Sequence, residues 1–350
     1  MKKINNTYFD KINNYIPNIN EFLTYDRIRE LRKLTQDPHV WSCIQSRKSG
    51  LLSLDHQLEI KKHNYLENID IHNLISNILE SVFYGFQAFE IIWDWKGYYY
   101  PKAIIPLPQE IFRKESNKDL KIIINGYPQE VDKDKIILAI NERSFISPLG
   151  VSLLEKCYWS AKFKNTGMRY WIDYLERFGM PMIIAKMNRM SSDGEMEKLM
   201  NELHQMAGNN ILVTPKDFDI EYRESQRQEA VEIFATMVEL CNAEISKTIL
   251  SQTLTTEIKN GSLAAAETHL KVRKEVIESD ARLVSYFMNE LIGLINKVNK
   301  QDSGMRFQIM INDEDKKERL ERDIALLKIG VKFSKQYWIK QYQYLEDDLE

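Results

Sequence analysis

The chain has 350 residues, 43% of them hydrophobic and 28% charged, with a formal net charge of -3. This globular balance excludes wholesale disorder and leaves room for one large core or two to three smaller ones, while the charge gives no case for a generally basic nucleic-acid binder or a polybasic membrane protein. Cys43, Cys157 and Cys241 are far apart with no CxxC, and there is no secretory h-region and no apolar run near 18 residues; the reading is a soluble protein of a reducing compartment without disulfides.

The first predicted elements are helical. Residues 26–50 place Ile28, Leu31 and Leu34 on one face, and Asp37-Pro38 starts a second short helix. LDHQLEI (54–60) alternates as a half-buried strand does, and 70–84 is an amphipathic helix stopped by Gly85. FEIIWDWKGYYYPKAIIPL (89–107) reads as two strands around Lys96-Gly97, and 120–131 and 135–140 as further short strands, so 54–145 is α+β with an antiparallel sheet. Ser147-Pro148 is expected to cap a helix of about 30 residues that ends at Gly179 and Pro181.

A β-α-β-β module follows: strand 182–187, a helix from a capping box at Ser192 and Glu195, then strands 210–214 and 218–222. It is small to stand alone without a disulfide or metal and should lean on neighbours. Long helices are expected over 226–250 and 264–298, separated by a polar, Gly-tipped segment. A strand over 305–311 and terminal helices complete the chain. Apolar stripes wider than one neighbour needs suggest an oligomer.

Catalytic signatures are fragments. Gly150-Val151-Ser152 begins a GxSxG elbow, but Leu154 occupies the last glycine position. Asp313 and Asp315 have calcium-loop spacing, yet Lys317 and Glu318 break the register. His269 reads as a surface or packing histidine, and the cysteines on helix stripes as buried thiols. Trp93, Trp95 and Tyr98 to Tyr100 cluster on one hairpin, as cross-strand packing or an intersubunit surface; a base-stacking platform would need more basic residues than Lys96 and Lys102. No cofactor and no metal site is expected.

Several stretches in order resemble the Mu-like phage portal proteins: DPHVWSCIQSRKSGLLSLDHQLE (37–59), YGFQAFEIIWD (84–94), the SPLG … ERFGMP stretch (147–186), and LSQTLTTEIKNGSLAAAETHLKVRKEVIESDA (250–281). The resemblance implies a portal fold: an α/β wing (1–146), a helix leading into the stem (147–179), a clip (180–224), a second stem helix (225–250), a tunnel loop (251–263), a long wing helix and strand (264–311) and a reduced crown (312–350). It further implies a non-enzymatic, dodecameric ring at one capsid vertex of the virion, assembled in the bacterial host cytoplasm, for DNA packaging, head-tail joining and ejection. Implied partners are other copies of the chain, double-stranded DNA, a terminase (the packaging ATPase), the major capsid protein and a head-tail adaptor, with no membrane. One departure stands out: Ser251 occupies the usual glycine of the family's GQTLTT, so the loop is expected to start differently.

The implied DNA-facing loop residues are Thr253, Thr255, Thr256, Lys259, Asn260 and Gly261, with Lys247 and Lys259 as candidate channel charge rings. Residues 226–298 hold eight Lys or Arg against ten Asp or Glu, which suits a sliding duplex better than a gripped one, since affinity grows with each phosphate neutralised. The alternatives are a metal-dependent nucleic-acid-processing enzyme built on Glu90, Asp94 and Glu110, or a head-tail connector.

Overall fold

Asp37-Pro38 makes the first junction, as expected. The computed structural model describes residues 25–114, 120–144, 147–178, 183–187, 194, 197–198, 201, 211–215, 227–253, 263–311 and 316–342. Helix α1 (Tyr25–Leu34) ends before this pair and α2 (Pro38–Leu52) begins at the proline. The Asp37 carboxylate accepts the backbone N–H of His39 at 2.9 Å and of Val40 at 3.1 Å, satisfying two of the donors that a helix start leaves open. Strand β1 (His56–Glu59), helix α3 (Ile71–Ile78) under an Asp70 cap, and the short α4 (Glu80–Tyr84) follow. Gly85, at φ +93°, turns the chain into the sheet.

The expected antiparallel sheet is two sheets. Strand β2 (Phe86–Trp95) pairs with β3 (Tyr99–Leu107) on one side and with β7 (Ile136–Ile140) on the other. Strands β4 (Phe112–Lys114), β5 (Leu120–Ile124) and β6 (Tyr127–Glu130) form the second. The stretch 120–131, expected as a strand, is therefore a hairpin. Asn125 and Gly126 both take positive φ, +52° and +84°, the conformation that a two-residue hairpin turn of matching twist demands. Phe86 and Ala88 from the first sheet, Phe112 and Ile122 from the second and Ile28 of α1 form one buried cluster.

Three long helices follow: α5 (Leu153–Phe178), α6 (Arg227–Leu250) and α7 (Leu263–Asn299). The expected Ser147 cap is not the cap. Residues 147–150 form a turn, with Gly150 N–H donating to the Ser147 carbonyl at 2.9 Å. The helix starts later, where the Ser152 hydroxyl accepts the Glu155 N–H at 3.0 Å. Gly150 forces the delay: it sits at φ +82°, outside the helical region.

Helices α5 and α6 lie along each other, with Gly167 against Met237 and the Trp171 ring stacked on Phe234 at 6.1 Å. Between them in sequence, β8 (Ile183–Met187) and β9 (Ile211–Pro215) pair in parallel, which requires a crossover connection; residues 194, 197, 198 and 201 within it are helical. The expected strand 218–222 lies outside the described residues.

Helix α7 buries Ala281, Val284, Met288, Leu291 and Ile295 and packs against α2, β3 and β7. Strand β10 (Arg306–Ile309) then pairs antiparallel with β1, closing a unit that ends at Ile309. A second unit begins at Met310 and holds α8 (Lys316–Lys328) and α9 (Lys335–Tyr342). Within it the Tyr337 hydroxyl donates to buried Asp323 at 2.8 Å, and Phe333 stacks on Tyr337 at 4.5 Å. Asp313 and Asp315 lie outside the described residues.

Candidate functional site

The polar segment between α6 and α7 is entered through a left-handed residue. Helix α6 ends at Leu250 and Ser251 takes φ +58°. That conformation terminates helices and is usually left to glycine. Ser251, where the resemblance expects a glycine, takes a conformation that glycine adopts at less cost. Of the expected loop residues, Thr253 is described and half-buried, three positions past the helix end. Thr255, Thr256, Lys259, Asn260 and Gly261 lie outside the described residues.

What the structure adds is how the start of the segment is held and tied to the helix that follows it. Arg47 of α2 donates from Nε and Nη2 to the two carboxylate oxygens of Asp280 on α7, at 2.7 and 2.8 Å. Its third nitrogen, Nη1, donates to the carbonyl of Ile249 at 2.6 Å. One guanidinium therefore satisfies an orphan carbonyl at the C-terminus of α6 and ties it to the following helix. One turn earlier, His39 Nε2 lies 2.9 Å from the Asn242 carbonyl and 2.8 Å from Ser246 Oγ. On the far side, His269 Nδ1 meets Gln252 Oε1 at 3.0 Å, so His269 pins the start of the segment to α7. An open cavity of about 190 Å³ lies here, with Arg47, Gln252, His269 and Arg273 among its lining residues. None of these anchors has a local sequence signal, since Arg47 and Asp280 are 233 positions apart.

Lys247 is exposed and forms an ion pair with Glu244 at 2.9 Å, one turn back on α6. The opposite charge within its own helix partly offsets it. Lys164 of α5 meets Asp37 at 2.8 Å in a buried pair at the N-terminus of α2, joining α5 to the same anchor helix.

The carboxylates of the enzyme alternative do not converge. Glu90 and Asp94 lie on one strand, four residues and so about 13 Å apart, too far to share an ion. Glu110 is engaged by Arg32, whose Nε and Nη2 donate to its two oxygens at 2.9 and 3.0 Å. Among the described residues no group of three His, Cys, Asp or Glu side chains could hold a metal. The thiols are buried as expected; burial pushes Cys157 up to about 12 and raises Cys241. Ser152, the nucleophile position of the broken elbow, spends its hydroxyl on the Phe83 carbonyl at 2.6 Å. In the aromatic hairpin, Tyr98 stacks on His63 at 4.8 Å, while Trp95 and Tyr99 stay exposed in an edge-on pair.

Comparison with known proteins gives one family and consistent relatives. The family described as "Portal protein of Mu bacteriophage" matches residues 28–344. A Haemophilus influenzae protein described as "Mu-like prophage FluMu protein gp29" is 21% identical over 316 residues, 83% of this chain and 58% of its own length. The "Portal protein" of Escherichia phage Mu is 27% identical over 138 residues, 39% of this chain and 27% of its own. The chain thus spans little more than half of the first relative. Among solved structures, an HK97 family phage portal protein from Corynebacterium diphtheriae superposes with a TM-score of 0.50 at 9% identity, covering 87% of this chain and 98% of that one. A chain from the neck of a native gene transfer agent particle, computed with C12 symmetry, gives a TM-score of 0.57 at 13% identity, covering 89% of this chain and 93% of that one. The fold is that of phage portal proteins, α+β with long paired helices. Among the described residues no helix is long and apolar enough to cross a membrane.

Proposed function

The chain belongs to the family of the portal protein of Mu bacteriophage, and from that premise we propose that it is the ring-forming subunit of a DNA conduit at a capsid vertex. In this reading residues 1–146 are wing, α5 leads into the stem, 180–224 are the clip, α6 is the second stem helix, 251–263 the tunnel loop, α7 the long wing helix, and 312–350 a reduced crown. Twelve copies surround a passing DNA duplex. The partners are the packaging ATPase, the major capsid protein and a head-tail adaptor, in a particle assembled in the bacterial host cytoplasm. The chain itself carries out no covalent step.

The observation that carries this reading is the anchorage of the 251–263 segment. Both flanking helices are clamped to α2 by Arg47, while the segment between them is short-chained and polar. Threonine, serine and asparagine can satisfy their own backbone in non-helical forms, so a segment of this composition tolerates more than one backbone path between its flanking helices. Its side chains would meet the phosphate backbone weakly and without reading sequence, and the acidic balance of 226–298 avoids a static grip. Lys247 and Lys259 repeated around a ring would form the charged collars of the channel. The test is deletion of 253–261: rings assemble and packaged or retained DNA falls. Failure of the deleted protein to form rings would make the segment an assembly element and overturn its assignment as tunnel loop.

A further inference from the structure

The cavity at the start of the 251–263 segment holds more hydrogen-bond donors than the clamp around it uses. Helix α7 supplies one wall at helical spacing, with His269, Arg273 and Ile277 recurring every four residues. Helix α2 supplies another through Ser46 and Arg47, and Gln252 enters just past the end of α6. Gly50, one turn after Ser46, lets the two helices come this close. A Cβ there would lie 2.8 Å from Ile277 Cδ1 and 3.8 Å from Arg273 Nη2.

Arg47 carries five N–H donors in a fixed fork. Its bonds to Asp280 and Ile249 use three of them, so two remain on a side chain only 11% exposed. Arg273 has no hydrogen bond or ion pair among the described residues. Gln252 accepts the His269 Nδ1–H on its Oε1, which leaves its amide nitrogen as a donor. No carboxylate is among the described lining residues, and both oxygens of Asp280 are already taken by Arg47. The cavity thus gathers donors from three elements and one uncompensated guanidinium, with no anion to meet them.

Its size narrows the ligand. About 190 Å³ is below the roughly 300–1,000 Å³ of pockets for drug-sized molecules, and several times the ~30 Å³ share of one water. A small polyatomic anion fits. Two guanidinium groups and an amide from separate elements suit an oxyanion with acceptors on every side, a phosphate group, better than a planar carboxylate with its acceptors at one end.

We propose that this cavity binds a phosphate group, bridging Arg47 of α2, Arg273 of α7 and Gln252 of the polar segment. The bound anion neutralises Arg273 and adds a second tie between α7 and the start of the segment, beside the Arg47 clamp. The site lies within one copy of the chain and stands whether or not copies form a ring. Free inorganic phosphate and a nucleic-acid backbone phosphate share this chemistry.

The test is titration of the full chain with inorganic phosphate, by calorimetry and thermal unfolding, at an ionic strength held constant with chloride. Phosphate raises the unfolding midpoint where chloride does not, because a ligand of the folded state alone stabilises it. Arg273→Gln unfolds as the native protein does in chloride and binds phosphate about tenfold more weakly, the loss of one charge-assisted hydrogen bond. Gln252→Glu keeps an acceptor for His269 but sets a carboxylate against the anion, and it too loses phosphate binding. A short DNA duplex as competitor separates the sources. Displacement of phosphate supports the site and assigns it to a backbone phosphate; phosphate held at saturating duplex supports it and assigns it to the free anion. A chloride effect equal to that of phosphate, or native phosphate affinity in either variant, would overturn the proposal. So would lowered ring yield in Arg273→Gln with unchanged phosphate binding, which would place that arginine in a contact between copies.

Discussion

Arg47 and Asp280 form a bidentate pair across 233 positions of sequence, with both side chains largely buried and the third guanidinium nitrogen on the carbonyl of Ile249. Removing one partner strands the other without solvent. Arg47→Met is expected to cost about 3–5 kcal/mol, the range for breaking a buried ion pair from one side. Asp280→Asn, which keeps the shape and one acceptor, should cost less. Chemical denaturation of the variants checks the order; equal and small losses from both would show that the clamp is dispensable.

Ser251 holds a left-handed conformation at φ +58°. The conformation costs a non-glycine residue about 1–2 kcal/mol, and glycine returns about 0.5–1 kcal/mol of that as extra freedom of the unfolded chain. Ser251→Gly is therefore expected to stabilise the protein by roughly 0.5–1 kcal/mol, the difference of those two. A lower denaturation midpoint for the glycine variant would contradict the account of how α6 ends.

Gly150 is the tightest glycine of the chain turn before α5. An added Cβ would lie 2.2 Å from the Gly85 carbonyl oxygen and 2.4 Å from that of Asn141, both backbone atoms that cannot swing aside. With the strain of φ +82°, Gly150→Ala is expected to cost about 2–5 kcal/mol. Thermal unfolding measures it. A neutral result would contradict the close approach of the Gly85 and Asn141 carbonyls to this position.

Burial pushes the Cys157 thiol up to about 12 from its ordinary value near 9, and the Tyr84 hydroxyl to about 12 from near 10. A group whose pKa is raised by folding contributes its full stability below the unfolded value and loses it as pH climbs toward the folded one. Stability should thus hold to about pH 9 and fall between about pH 9 and 12, with Cys157→Val removing part of the slope. At pH 8 the buried thiols should react with alkylating reagents only after unfolding. Rapid labelling of the native protein would contradict the packing of α5.

The helices and their order were legible because their ends carry short-range chemistry. Asp37-Pro38 and Gly85 sit where the structure starts and stops helices. The N-cap of α5 was misplaced for a reason also written locally: Ser147-Pro148 has the right residues, but Gly150 at positive φ makes them a turn, and Ser152 takes the cap. The Asn125-Gly126 dipeptide carries the turn signal that makes 120–131 a hairpin, although the apolar run on either side of it reads as one strand. The limits of the polar segment could be read from composition. Its anchors could not, because Arg47, His39 and Asp280 acquire meaning only when α2, α6 and α7 come together.

Lys247 tests how far charge in the stem matters for function apart from stability. Its pair with Glu244 is half-exposed and within one helix turn, a geometry worth about 0.3–0.5 kcal/mol at most. Lys247→Ala should leave unfolding nearly unchanged while altering packaged DNA length or retention. A large stability loss with normal packaging would place this lysine in a structural contact.

Electron microscopy of the purified full chain, alone and with its capsid protein, tests most directly whether this chain closes into a ring around DNA. Closed rings with an open central channel are expected, the α5 and α6 helices lining it and the 251–263 segment projecting into it. A monomer under every condition, or a ring whose channel is walled by the β2–β3 hairpin with 251–263 outside, would contradict it.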